Sequence, residues 1–165
     1  MGLNILITGC PGVGKSTVAS LLAEKTNLTY LNIGDLVKDQ GLHEGWDEEL
    51  QTYILDEDAL INTLSGVIEE TGYVVEFHSP SVFPEDWFDI VVVLTCINDV
   101  LYPRLEKRGY SERKISDNIE AEIMEVVLDE AYETFPDKVM KFKCEVLEDI
   151  DIAINSVLQY IAENP

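Results

Sequence analysis

The segment from Leu3 to Ser16 constrains this chain more than any other. A short apolar run, Leu-Asn-Ile-Leu-Ile-Thr-Gly at 3–9, leads into Gly9-Cys10-Pro11-Gly12-Val13-Gly14-Lys15-Ser16, which fits the spacing GxxxxGK[ST]. A brief apolar run closed by glycine reads as a strand buried on both faces. From Lys15 onward, Val18, Leu21 and Leu22 share the inner face of a helix that ends near Lys25. The chain must therefore pass from buried strand through a glycine turn into a helix N-terminus. Such a turn lets successive backbone N–H groups curl around a phosphate, and the helix start favours the same anion. Lys15 then reaches the β and γ oxygens of a nucleotide, and Ser16 offers a hydroxyl to Mg²⁺.

The remaining pattern alternates strands and helices. Thr29–Ile33, Gly72–His78, Asp89–Cys96 and Val139–Val146 read as further strands. Asp56–Glu70 and the series Ile150, Ile154, Val157, Leu158, Ile161 have helical spacing. Ile119, Ile123, Val127 and Ala131 recur every four residues after Ser116 and Asp117, two good capping residues, and predict one long helix there. Between the third and fourth strands lies a Pro-containing loop, 79–87. Strands joined through helices imply right-handed crossovers and a five-stranded parallel sheet covered on both faces, an α/β three-layer sandwich. With 165 residues and no linker or repeat, a single domain spanning 1–165 is expected.

Composition removes several classes of function. Eleven Lys+Arg against 32 Asp+Glu give a net charge of −21, too few cations for a protein that grips a nucleic-acid backbone by bulk charge. Such a surface suits basic protein partners. Cys10, Cys96 and Cys144 are scattered, without a CxxC pair or nearby histidine, which argues against a zinc site or disulfide framework. No basic leader precedes the first apolar run, and the longest such run, Ile90–Ile97, is well below the roughly 20 residues that cross a bilayer. A soluble, non-membrane protein of a reducing compartment is expected.

Two further signals carry chemistry. Glu76 and His78 end the third strand, where an acid can hold Mg²⁺ or its water opposite a phosphate loop and an imidazole can orient a water or phosphate oxygen. Between positions 39 and 103 there is no Lys or Arg at all, yet Arg104, Lys107, Arg108, Arg113 and Lys114 crowd together. A cluster of cations in so acidic a chain suits a short mobile lid over a migrating phosphoryl group. The carboxylate-rich stretch 39–58 would repel phosphate, so cations that grip one near it must come from Lys38, Lys15 or the lid. Trp46, Phe83, Trp87 and Phe88 are candidates to stack on a base, against the ordinary alternative of core anchoring.

Taken together, Gly9–Thr17, Asn32-Ile-Gly-Asp-Leu36, Gly45-Trp-Asp-Glu-Glu49, Leu55-Asp-Glu-Asp58, Glu76-Phe-His78, Phe83-Pro-Glu85, Arg104-Leu-Glu106, Arg108-Gly-Tyr110 and Asp117-Asn118 resemble the adenylate kinase isoenzyme 6 family over nearly the whole chain. The resemblance implies a P-loop NTPase fold of nucleoside monophosphate kinase type with a short lid. It implies that Gly12, Val13, Gly14, Lys15, Ser16, Thr17 and Arg108 bind ATP, and that Ser16 and Glu76 hold Mg²⁺. Catalysis would rest on Lys15, Glu76, His78 and Arg108, with Gly34, Asp35 and Lys38 on the substrate. Residues about 32–55 would form the monophosphate-binding segment and about 107–117 the lid. The sequence departs from the family pattern at Glu76, usually aspartate, and at Lys38, often arginine, which would weaken AMP binding because lysine grips phosphate as a point charge. Pro103 sits where a helix should lead into the lid, and costs a backbone hydrogen bond unless the helix begins near it.

The expected reaction is ATP + AMP to 2 ADP, with ATP hydrolysis as a second activity in small-ribosomal-subunit (18S rRNA) maturation. A small-subunit ribosomal protein as partner and a nuclear location follow from the resemblance alone; a monomer that is also cytoplasmic is expected. The alternative is an assembly ATPase whose nucleotide cycle opens and closes a surface for a basic ribosomal protein, with kinase turnover incidental. A kinase for another nucleoside monophosphate is a third reading.

Overall fold

A computed structural model of the chain describes residues 3–68 and 72–165. In chain order the elements are β1 (Ile5–Thr8), α1 (Lys15–Thr26), β2 (Thr29–Asn32), α2 (Ile33–Gln40), β3 (His43–Asp47), β4 (Thr52–Leu55), α3 (Glu57–Ile68), β5 (Tyr73–Glu76), β6 (Ile90–Thr95), α4 (Asn98–Lys107), α5 (Glu112–Ile123), α6 (Val126–Thr134), β7 (Val139–Lys143) and α7 (Leu147–Glu163). Two short 3₁₀ turns, Pro80–Val82 and Glu85–Trp87, occupy the loop before β6. The last positions of the predicted 56–70 helix lie outside the described residues.

Five strands form one parallel sheet in the order β2-β5-β1-β6-β7. Alternate side chains enter two separate cores. Ile5, Ile7, Val74, Val92 and Leu94 pack with Val18 and Leu22 of α1 and with Ile154 and Val157 of α7. Leu6, Val75, Val91 and Val93 pack on the other face with Leu60 and Leu64 of α3 and with Phe88 and Phe135. Each such side chain removed from water contributes roughly 1.5–3 kcal/mol, which is why the inner strands carry no polar alternation. The sheet is therefore the middle of three layers. β1 feeds α1 and β2 toward one edge, whereas β5 leads to β6 on the other side of β1, so the crevice at the carboxyl ends of β1 and β5 is where a ligand would sit.

Three local expectations change. The long helix begins at Ser111, whose hydroxyl accepts from Lys114 N at 3.2 Å, and not at Ser116 or Asp117, which lie inside α5. It also breaks after Ile123, because Glu125 adopts φ 53° and starts α6 in a new direction. Pro103 falls in the middle of α4, which starts five residues earlier at Asn98; the proline and Asp99, whose carbonyl it cannot serve, are both exposed, which leaves that carbonyl open to solvent and lowers the cost. The acidic stretch 39–58 is structured, folding as the antiparallel hairpin β3–β4 with Trp46 opposite Tyr53. The positions 107–117 form a corner: the end of α4, a turn at 108–111 and the first half of α5. Among the described residues no helix is long and apolar enough to cross a membrane.

Candidate active site

β1 delivers the glycine loop at the sheet's carboxyl edge. Gly9, Gly12 and Gly14 have φ of 148°, 87° and 106°. A Cβ on Gly12 would lie 2.9 Å from Leu105 Cδ2, and one on Gly14 would lie 2.8 Å from Cys144 Sγ, so α4 and the loop after β7 press directly on the turn. Val13 buries its side chain in the core and leaves only backbone to a ligand. Gly14 caps α1, placing Lys15, exposed Ser16 and exposed Thr17 in the first helical turn.

Lys15 turns its ammonium back onto the Gly9 and Cys10 carbonyls, at 2.9 Å each. Burial pushes it down to about 8, against the opposing pull of Glu76. Glu76, at the end of β5 and 8% exposed, is the hub of the site. The Ser16 hydroxyl donates to its two oxygens at 2.9 and 3.1 Å, Asn32 Nδ2 donates at 3.4 Å, and the Tyr30 hydroxyl donates as well. Register places Asn32 and Ile7 on either side of Glu76. A serine hydroxyl beside a carboxylate is a set of hard oxygen donors, the chemistry that Mg²⁺ selects, and the glycine cradle keeps side chains out of the adjoining space.

His78 lies just beyond β5 against Phe77, with ring centroids 4.5 Å apart. The residue is exposed at its edge, yet protein packed around the imidazole partly strips it of water, and this, followed by the charges of Lys15 and Lys114, pushes it down to about 4. The imidazole is neutral near pH 7. Arg108 ends α4, exposed, with Nη1 3.4 Å from the Tyr110 hydroxyl, and its charge lowers the Lys15 ionisation. Gly34 and Asp35 open α2, where the Asn32 side chain caps the helix by accepting from Asp35 N at 3.1 Å. One side chain thus links Glu76 to α2. Lys38 lies exposed in the last turn of α2, with no hydrogen bond or ion pair among the described residues. The structure gathers Lys15, Ser16, Glu76, His78 and Arg108 and leaves Lys38 apart. Phe83, Trp87 and Phe88 are core residues; Trp46 alone of the candidate stacking residues is exposed, at 48%.

Arg104 holds a structural role that the sequence cluster did not single out. Its Nη1 donates to Gly12 O at 3.2 Å and Cys144 O at 3.0 Å, and its Nη2 to Glu145 O at 3.1 Å. The guanidinium fork ties the glycine loop to the loop after β7. Its separation from Arg108 by four residues, one helical turn, is the only signal that could have placed both on one face of α4. Beside this tie opens a cleft of about 700 Å³, lined by Gly12, Gly14, Thr17, Arg108, Val146 and Leu147 among others. Val146 and Leu147 are 56% and 80% exposed and give that cleft an apolar wall. Behind the loop, Glu122 of α5 accepts from Cys96 N at 2.7 Å, and burial raises its carboxyl. Burial, with Glu122 next, pushes the Cys10 thiol up to about 12, so Cys10 acts as packing and not as a nucleophile.

A glycine loop at a helix N-terminus, facing a strand-end acid across a doubly wound parallel sheet, defines the class of P-loop kinases. Solved structures agree on the fold: shikimate kinase from Acinetobacter baumannii in complex with shikimate aligns with a TM-score of 0.67 at 17% identity, covering 99% of this chain and 95% of that one. Shikimate kinase from Bacteroides thetaiotaomicron aligns at 0.65 and 18% identity, covering 97% and 98%. The AAA domain family matches residues 5–125. The adenylate kinase isoenzyme 6 homolog of Dictyostelium discoideum is 42% identical over 159 residues, covering 96% of this chain and 91% of its own. Its namesake in Schizosaccharomyces pombe is 41% identical over 159 residues, with the same coverage. The chain belongs to the adenylate kinase isoenzyme 6 family.

Proposed function

We propose that this protein is an adenylate kinase that transfers the γ-phosphoryl group of ATP to AMP, giving two ADP, with hydrolysis of ATP as an associated activity. The observation that carries this reading is the Ser16–Glu76 pair facing Lys15 across the mouth of the glycine loop. Ser16 and Glu76 are the residues that would hold Mg²⁺; when bound, the ion neutralises charge on the phosphates. The backbone N–H groups of the loop and the first turn of α1 bind the triphosphate. Lys15 exchanges the Gly9 and Cys10 carbonyls for phosphate oxygens, and Arg108 adds positive charge from the end of α4. The adenosine takes the cleft walled by Val146 and Leu147. Neutral His78 accepts or donates one hydrogen bond and so orients the acceptor phosphate or a water. Transfer is direct, without a covalent enzyme intermediate, so positioning and electrostatics supply the rate. The relatives' name, adenylate kinase, supports AMP as acceptor.

The decisive assay is ADP formation from ATP with AMP present or omitted, followed by a panel of nucleoside monophosphates at fixed ATP. Strong dependence on AMP supports the kinase; equal ADP formation without AMP removes it. The net charge of −21 favours a second reading, an ATPase that acts on a basic ribosomal protein in small-subunit maturation, in the nucleus and cytoplasm. Stimulation of AMP-independent hydrolysis by a purified basic small-subunit ribosomal protein supports that role, and its absence overturns it.

A further inference from the structure

The tip of the β3–β4 hairpin and the first turn of α5 are joined across 60 residues of sequence. Gln51, at φ 51°, accepts from Ser111 N at 2.9 Å through its side-chain carbonyl. Ser111 is the N-cap of α5, so the bond fixes the point at which that helix begins. The Gln51 main-chain carbonyl accepts from the Lys114 ammonium at 2.7 Å, and the same ammonium lies 4.0 Å from the centre of the Tyr110 ring. Glu49 pairs with Arg113, an exposed contact that adds little by itself.

The placement of Lys114 gives these contacts a direction. A cation in the first turn of a helix opposes the helix dipole, so Lys114 does not take this position for the helix's sake. It is held there by the Gln51 carbonyl and the face of the Tyr110 ring. The hairpin, part of the segment 32–55 read above as the acceptor site, therefore orders a cation of the basic corner, whereas Gly12, Thr17, Arg104 and Val146 line the cleft assigned to adenosine.

We propose that Gln51 is a positioning residue, a latch that makes the β3–β4 hairpin and the basic α4–α5 corner close as one unit over the acceptor. The kinetic part of this inference rests on the adenylate kinase reading above; the structural part does not. Gln51→Asn is the sharp variant, because asparagine tolerates positive φ but is one methylene too short to keep a 2.9 Å bond to Ser111. Gln51→Glu keeps the reach and adds a partner for Lys114. Amide exchange in the full chain should accelerate at Ser111 and through the first turn of α5 by about tenfold in Gln51→Asn and return to near the parent rate in Gln51→Glu. In the kinase assay, Gln51→Asn should raise KM for AMP about tenfold while the Kd for ATP by calorimetry stays within about twofold. Unchanged exchange at Ser111, or loss of ATP affinity equal to the loss at AMP, overturns the latch. If the parent protein makes no ADP from ATP and AMP, the kinase reading falls and the exchange measurement still decides the latch.

Discussion

Ser16 donates its hydroxyl to both carboxylate oxygens of Glu76, at 2.9 and 3.1 Å, although 60 residues of chain lie between them. The pair closes the gap between the start of α1 and the end of β5, and two more donors, Tyr30 and Asn32, hold the carboxylate in place. A carboxylate held by three donors keeps one orientation, with its oxygens aimed at the mouth of the glycine loop.

Glu76→Gln keeps the shape and removes the charge. Its amide cannot accept from Ser16, Tyr30 and Asn32 together, so both the metal affinity and the network weaken. We expect kcat to fall by on the order of 10²-fold or more, with the apparent Mg²⁺ requirement shifted upward. Steady-state assays across a magnesium titration check it; parental kinetics would remove Glu76 from the metal site.

Lys15 makes the pH dependence of nucleotide binding legible. Burial sets its ionisation at about 8, so the ammonium is present below that pH and lost above it. ATP affinity should therefore hold from pH 6.5 to 7.5 and decline as pH rises through 8 to 9.5. Lys15→Met should bind ATP weakly at every pH and lack that decline. Calorimetric titrations in matched buffers compare the two. A parental affinity that is flat through pH 9.5 contradicts the assignment.

His78, held at about 4, stays neutral where an ordinary histidine would titrate. The rate profile should carry no limb near pH 6.5 that His78→Gln abolishes. His78→Ala should lower kcat by roughly ten- to a hundredfold with ATP Kd unchanged within about twofold. Stability follows the same sign: as pH falls from 6.5 toward 4, the unfolded chain takes up a proton that the folded one refuses, so stability drops in that window. His78→Gln should flatten that part of the melting-temperature profile relative to the parent.

How much of this was readable beforehand depended on the range of the interaction. β1, α1, β6 and α7 were legible because hydrophobic period and the glycine loop act over neighbouring residues. Ser111 was passed over as a cap because Ser116 and Asp117 offer the same chemistry five residues later, and the four-residue series Ile119 to Ala131 hides the break at Glu125, a backbone event with no side-chain signature. The β3–β4 hairpin escaped because its residues are acidic and its turn lacks the Asn-Gly pair that marks a tight hairpin. Lys15, Ser16, Glu76 and His78 were visible as motifs. Arg104 and Gln51 were not, since each is defined by partners that only folding brings near, Gly12 across 92 residues and Ser111 across 60.

Arg104 gives a prediction that separates charge from geometry. Lysine preserves the charge but cannot span Gly12, Cys144 and Glu145 together. Arg104→Lys should lower stability by roughly 3–6 kcal/mol, two lost hydrogen bonds from a charged donor, and weaken ATP binding as the two loops separate. Denaturant melts and calorimetry test both. Arg104→Lys with parental stability would mean that the fork is dispensable.

Gly14 allows the cradle itself to be tested by a double substitution. Two costs fall on Gly14→Ala: a backbone at φ 106° that side chains rarely adopt, and a Cβ 2.8 Å from Cys144 Sγ. The backbone cost is about 1–2 kcal/mol and cannot be relieved from outside, whereas the steric cost disappears if Cys144 is shortened. Gly41→Ala, at φ 65° with open space around its Cβ, isolates the backbone cost alone. Gly14→Ala should therefore lose more stability than Gly41→Ala, and Cys144→Ala should rescue part of the Gly14→Ala loss without restoring it fully. The coupling in this double-mutant cycle, measured by urea unfolding, should be at least about 1 kcal/mol. Strict additivity would mean that the loop after β7 does not press on the phosphate cradle, and that the two move independently when nucleotide enters.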